Sequence, residues 1–260
     1  MSTLLAGCLA RGGALDEGWL EIADERIAAV GGGAPPRAPD ERLDGILAPS
    51  LVDLQVNGAG GHEATGGPGA LDVIDAIQLE HGVTRYLPTI VTTDDEVAER
   101  SVAELAGRAA DPSSPVAGIH LEGPFLSPAH AGVHRAEWLR EPADGMPAYY
   151  SSHAVRLVTL APELPGALEL IAALRARGVV VSLGHSGASA EVARQAVDAG
   201  ARLVTHVFNA MAPLHHRDPG LVGVALADAR VLVGVIADGR HLDPLVLELV
   251  RRAAGPRVVL

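Results

Sequence analysis

Apolar and polar residues alternate along residues 18–30, whereas from residue 51 onward short apolar runs are separated by longer stretches rich in Ala, Leu and Glu. Alternation with a period of two predicts strands that bury one face. It places a hairpin over 18–30, turning at Asp24-Glu25-Arg26, with a partner strand upstream around residues 3–9. Gly31-Gly-Gly-Ala-Pro-Pro36 breaks the pattern and begins a linker. A small β unit is therefore assigned to residues 1–47. Past Pro49 the apolar runs at 51–55, 85–90, 116–121, 155–160, 179–183, 202–206, 231–236 and 257–260 predict strands. Between them, 71–81, 94–110, 164–177, 189–199 and 244–253 predict helices. Eight strands alternating with helices imply an α/β fold, a (β/α)8 TIM-like barrel over residues 48–260 with its active site at the carboxyl ends of the strands. No helix follows the last run to cover it, so the barrel is expected to lack its C-terminal end.

Three of the apolar runs end on residues that bind metals: Glu122, His185 and His206. Any one alone reads as a polar residue closing a strand. Three at matching strand ends, each followed by a loop containing Gly, Ser or Asn, point to a divalent metal held by one carboxylate and two imidazoles. A fourth position is left for water or substrate, as in catalytic rather than structural sites.

Composition narrows the remaining classes. A net charge of −12 lacks the basic stripe of a nucleic-acid binder, so an anionic ligand needs a local cationic patch, and His215-His216-Arg217 is the candidate. Cys8 is the single cysteine, which excludes an intramolecular disulfide and fits a reducing cytoplasm. Leu4-Leu-Ala-Gly-Cys8 is lipoprotein-like, yet nothing basic precedes it. No apolar run reaches the ~20 residues of a membrane span.

The ordered strings His120-Leu-Glu-Gly-Pro-Phe125, Gly132-Val-His134, Gly184-His-Ser186, Thr205-His-Val-Phe-Asn-Ala-Met211, Pro213-Leu-His-His-Arg217 and Ala237-Asp-Gly-Arg-His241 together resemble the N-acetylglucosamine-6-phosphate deacetylase family of the amidohydrolase superfamily. The resemblance runs from about Gly45 to the end, and the N-terminal unit fits the first part of the family's β-sandwich accessory domain. It implies that Glu122, His185 and His206 bind the metal, and that His134 contacts the acetamido carbonyl as a catalytic residue, with Val133 lining the same pocket. Asn209 and Ala210 would meet the phosphate, and Arg217 would pair with it, from a neighbouring subunit if the protein is a dimer or tetramer as family members commonly are. Asp238, Gly239, Arg240 and His241 would line the sugar pocket, with His241 in direct contact. Many amidohydrolases carry a His-x-His pair on the first strand; here the place reads Gln55-Val-Asn57, so a single ion is expected, Zn²⁺ first and Fe²⁺ or another divalent ion next.

The resemblance also implies a proton-transferring Asp at the tip of the eighth strand, beyond Leu260. General acid–base catalysis typically contributes ~10²–10⁴-fold, so this stretch alone is expected to be severely impaired. Two alternatives stay open: another metal-dependent amidohydrolase, dihydroorotase-like or acting on acylamino acids, and a truncated sugar-phosphate binder without turnover. The expected partner is a small amino-sugar phosphate, with no nucleic acid and no membrane. His62, His81, His130 and His153 are assigned to surface or packing roles, and residues 58–69 to a flexible glycine-rich loop.

Overall fold

The computed structural model describes residues 1–260, which divide into two compact units, Met1–Leu51 and Val52–Leu260. In the first unit β1 (Ser2–Arg11) pairs antiparallel with β2 (Ala14–Ala23) over its whole length, and β2 pairs with β3 (Arg26–Gly32). The hairpin turns at Asp24 and Glu25, both left-handed at φ 50° and 61°. Residues expected to be linker form β4 (Glu41–Leu47), which adds to β1 in parallel and gives the order β3-β2-β1-β4. Leu4, Ala6 and Leu9 are the only hydrophobic side chains buried there, and β4 has no buried position, which is why its sequence carries no alternation.

The second unit is a curled wall of eight strands in the order β14-β13-β12-β11-β10-β9-β8-β5. These are β5 (Leu51–Val56), β8 (Val83–Val91), β9 (Ile119–Glu122), β10 (Val155–Leu160), β11 (Val180–Leu183), β12 (Leu203–Val204), β13 (Leu232–Gly234) and β14 (Val258–Val259). From β8 to β14 every neighbouring pair is parallel. β5 and β14 are its two margins, so the sheet is a barrel wall with an open seam. A two-residue hairpin, β6 (Gly58–Ala59) with β7 (His62–Glu63), occupies part of the glycine-rich stretch after β5.

Helices α1 (Pro68–Glu80), α2 (Asp95–Ala110), α3 (Ala167–Ala176), α4 (Ala190–Ala199), α5 (Gly220–Ala227) and α6 (Pro244–Ala254) follow strands in the βα order. Asp94, Ser189 and Asp243 accept hydrogen bonds from Val97, Val192 and Leu245 backbone N–H groups and so fix the starts of α2, α4 and α6, each cap being worth about 1 kcal/mol. Helix α5 was not expected. Its eight residues are almost all apolar and five are buried, so it lacks the one-sided pattern that marks a surface helix. Two connections lengthen into loops at the carboxyl edge of the sheet. After β9, four single 3₁₀ turns replace a helix between residues 128 and 151, and after β12 an irregular segment runs to Pro219.

Candidate metal centre

All four residues of β9 are buried, so Glu122 at its end enters an apolar interior. His185 and His206 each stand two residues beyond a strand, in left-handed backbone at φ 49° and 31°. Phe208 and Ala210 share that conformation at 76° and 51°. An L-residue held there costs about 1–2 kcal/mol, and such strain persists only where neighbouring contacts over-determine the backbone. Those contacts are present. Ser127 N donates to His185 O at 3.0 Å, Asn209 N to His206 O at 2.9 Å, and Ser186 N to Ala210 O at 3.1 Å. The left-handed turn swings each imidazole over the strand ends.

The result is an equilateral triangle of donor atoms. His185 Nε2 and His206 Nε2 each lie 3.2 Å from Glu122 Oε1, and 3.2 Å from one another. His185 Nδ1 is 3.0 Å from the His130 carbonyl, which can only accept, so Nδ1 carries a proton and Nε2 is the ring nitrogen left to face Glu122 and to ligate. Burial pushes the Glu122 carboxyl up, and the two facing imidazoles more than reverse this, holding it ionised well below the usual carboxylate range. Three ligand atoms this close are held together by shared protons or by a cation among them. A triangle with 3.2 Å edges is the face of a tetrahedron about 2.0 Å from corner to centre, the bond length zinc makes to imidazole and carboxylate. The donor set fits a divalent ion.

His134, carried back on the loop after β9, completes the cluster. Its ring is buried, edge-on to His185 at 4.6 Å between centroids, with Nε2 3.8 Å from Glu122 Oε2. Thr92 N donates to His134 Nδ1 at 3.2 Å, so the neutral ring bears its proton on Nε2. Burial lowers this imidazole to about 4, which keeps it neutral. Nε2 has no hydrogen-bond partner although it is buried. It is a donor in search of an acceptor.

The other predicted residues lie on loops at the same edge, and of these Asn209 bonds a triangle residue, through the His206 carbonyl. Val133 is 87% exposed beside His134. Asn209 Nδ2 donates to the His206 and Val207 carbonyls, and Ala210 O receives Ser186 N. Arg217 is exposed, next to the rings of His215 and His216, which lie 4.1 Å apart and tilted by 46°. In the exposed segment after β13, Asp238 accepts from the Arg240 and His241 backbone N–H groups and from His241 Nδ1, each at 2.9 Å; these bonds hold its carboxyl well below the usual range, and Gly239 turns between them at φ 71°. Asp53, Gln55 and Asn57 line a cavity of about 460 Å³ together with His120, Thr205 and His206.

Sequence reasoning missed two supports. Thr92 bonds His134 through its N–H and the Glu122 carbonyl through its hydroxyl, at 3.0 Å for the latter. His120, two residues before Glu122 on one strand face, is fully buried, and burial lowers it to about 4. A polar residue at that spacing on an otherwise apolar strand was the available signal. His130 serves the site through its backbone carbonyl.

No model of a protein family matches the chain. Among curated proteins, the human N-acetylglucosamine-6-phosphate deacetylase is 42% identical over 242 residues, covering 86% of this chain and 59% of the human protein. The N-acetylgalactosamine-6-phosphate deacetylase of Escherichia coli O157:H7 is 38% identical over 258 residues, covering 94% and 67%. Among solved structures, an Asp-to-Ala mutant of the Mycobacterium smegmatis N-acetyl-D-glucosamine-6-phosphate deacetylase, in complex with N-acetyl-D-glucosamine-6-phosphate, superposes with a TM-score of 0.92 at 37% identity, over 100% of this chain and 70% of that one. The chain thus spans about three-fifths of the length of the human relative. Parallel wall, donor triangle and relatives define an amidohydrolase-type barrel. The chain belongs to the N-acetylglucosamine-6-phosphate deacetylase family.

Proposed function

We propose that the protein hydrolyses the acetamide of N-acetyl-D-glucosamine 6-phosphate to acetate and D-glucosamine 6-phosphate, in amino-sugar catabolism in the cytoplasm. One observation carries this reading: a triangle of metal-ligating atoms lies beside a buried imidazole whose unpartnered Nε2 is 3.8 Å from Glu122 Oε2. A divalent ion bound there supplies an activated water and polarises the scissile carbonyl. Zn²⁺ is the first choice, since the triangle fits its bond lengths; Fe²⁺ or another divalent ion is the alternative.

The chain's own residues hold the ion and orient the substrate around it. Ionised Glu122 offsets part of the ion's charge, and the His130 carbonyl fixes the His185 ring with its Nε2 lone pair inward. His134 donates its Nε2–H to the oxygen that gains charge as the acetamide carbonyl is attacked, a contribution of roughly 10²–10³-fold for donors of this kind. Burial of Glu122, His134 and His185 limits the bulk water that can compete there. Val133 borders the acetamido side. Asn209, Ala210 and Arg217 meet the phosphate, Arg217 with paired hydrogen bonds and, in a homodimer or homotetramer, across a subunit boundary. Asp238, with Gly239 and Arg240, shapes the turn that holds His241 by Nδ1, leaving its Nε2 for a sugar hydroxyl. Residues 1–47 are the first part of an accessory domain. The Mycobacterium smegmatis complex supports the choice of sugar. The Escherichia coli relative, over two-thirds of its length, favours a second reading, the galactosamine epimer.

The test is calorimetric binding and acetate release with metal-loaded protein, offered both epimers with and without the 6-phosphate. The reading expects selective binding of a phosphorylated N-acetyl sugar. Equal affinity for phosphorylated and unphosphorylated sugars would overturn it in favour of another amidohydrolase. Selective binding with no acetate formed would mark a sugar-phosphate binder.

A further inference from the structure

Five consecutive strands carry a buried polar belt that neither the metal triangle nor the substrate loops require. Thr89 on β8, His120 on β9, Thr159 on β10, Ser182 on β11 and Thr205 just after β12 are each at most 3% exposed, inside a wall otherwise filled by Leu, Ile and Val. Every link is a hydrogen bond: Ser182 Oγ to Thr205 Oγ1 at 2.5 Å, Thr205 Oγ1 to Thr159 Oγ1 at 2.8 Å, Thr159 Oγ1 to His120 Nε2 at 2.8 Å, and His120 Nδ1 to Thr89 Oγ1 at 3.2 Å. The direction of the chain can be assigned. Thr89 uses its single hydroxyl proton on the Leu87 carbonyl at 3.3 Å, so it accepts from His120 Nδ1–H. His120 Nε2 is then bare and accepts from Thr159, which accepts from Thr205, which accepts from Ser182. Each hydroxyl gives one proton and receives one, except the terminal Ser182.

An apolar layer would fill this space without such matching, and an unsatisfied member would cost about 1–3 kcal/mol. The belt's position gives it a use. Thr159 alone among its members meets all three metal-bearing segments. Its backbone oxygen accepts from Gly123 N, directly after Glu122, at 3.1 Å, and it pairs with Glu122 in the β9–β10 register. Its methyl lies where a Cβ on Gly184, directly before His185, would come within 3.0 Å. Its hydroxyl holds Thr205, directly before His206. Both histidines sit in strained left-handed backbone, which needs such fixing.

We propose that Thr159 is a positioning residue for the metal centre, its hydroxyl setting the relative height of the strands that bring Glu122, His185 and His206 together. This rests on the metal-binding reading of the triangle. The test is zinc affinity of the protein by competition with a chromophoric chelator, alongside thermal unfolding in excess chelator. Thr159→Val keeps the methyl and backbone and removes the hydroxyl. It should weaken zinc binding about 10–100-fold, the range found when the groups orienting metal ligands are lost, and Thr159→Ser should restore most of the affinity. Tyr86→Phe, which breaks the 2.7 Å bond to Asp75 elsewhere in the same unit, should lower stability and leave affinity unchanged. Should Thr159→Val not fold, Ser182→Ala removes only the terminal donor and should fall at the low end of that range. Wild-type affinity in the hydroxyl-lacking variants, with a lower melting point, would reduce the belt to a structural role and overturn the inference while the metal site stands. A wild-type protein that binds no zinc would overturn both.

Discussion

Acid should weaken the metal-free protein through His120, and the size of the effect follows from its burial. The ring is 1% exposed, and burial takes its pKa from 6.5 to about 4. Between those two values the unfolded chain binds a proton that the folded chain refuses, so stability rises with pH across the window. The contribution is whole above 6.5 and is lost as pH falls towards 4. A shift of this size is worth about 3 kcal/mol when complete, of which roughly 2 kcal/mol is lost on going from about pH 7 to about pH 5. Urea unfolding of chelator-treated protein at those two pH values measures it. His134 and the carboxylates contribute to the same slope, so the informative comparison is with His120→Gln, whose amide can still donate towards Thr89 and accept from Thr159. The variant should lose about 2 kcal/mol less than the wild type between the two conditions. Equal losses would show that His120 is not held neutral by its surroundings, and the assigned direction of the belt would fall with it.

Three further outcomes follow from single contacts. Tyr150→Phe keeps the ring against Phe125 but removes the hydroxyl that donates to the Gly123 carbonyl at 2.8 Å, and should cost about 1–3 kcal/mol in urea unfolding. Gly184→Ala forces a methyl to within 3.0 Å of Thr159 Cγ2 and 3.4 Å of Thr205 Cβ, an overpacking that should cost about 1–3 kcal/mol and lower the melting temperature measurably. Arg217→Ala should weaken calorimetric binding of the phosphorylated sugar by about 1.5–3 kcal/mol, as for hydrogen bonds to charged groups, and leave the unphosphorylated sugar unaffected.

Much of the barrel wall was legible because its strands are buried on both sides. Residues 155–160 were expected as a strand and form β10, five of the six buried. At 202–206 only Leu203 and Val204 remain regular, because the backbone turns left-handed at His206 to aim its ring. A periodicity argument cannot anticipate that reversal. The triangle itself could be read from residues at strand ends, since parallel strands of a barrel present those ends to one face. Thr92 and Thr159 could not: a lone Thr in an apolar run fits equally a lipid-like core or a hydroxyl network, and only the neighbouring strands decide. Strand β4 went unseen for the opposite reason, having no fully buried residue to mark it.

Zinc binding by chelator-treated protein, with and without Glu122→Gln, bears most directly on the whole account. One tightly bound ion per chain is expected in the wild type. Removing the carboxylate charge should weaken binding by more than the ~100-fold upper range for groups that merely orient ligands. A wild type that takes up no divalent ion, or a variant that binds as tightly as the wild type, would contradict the assignment of Glu122, His185 and His206 to a metal centre.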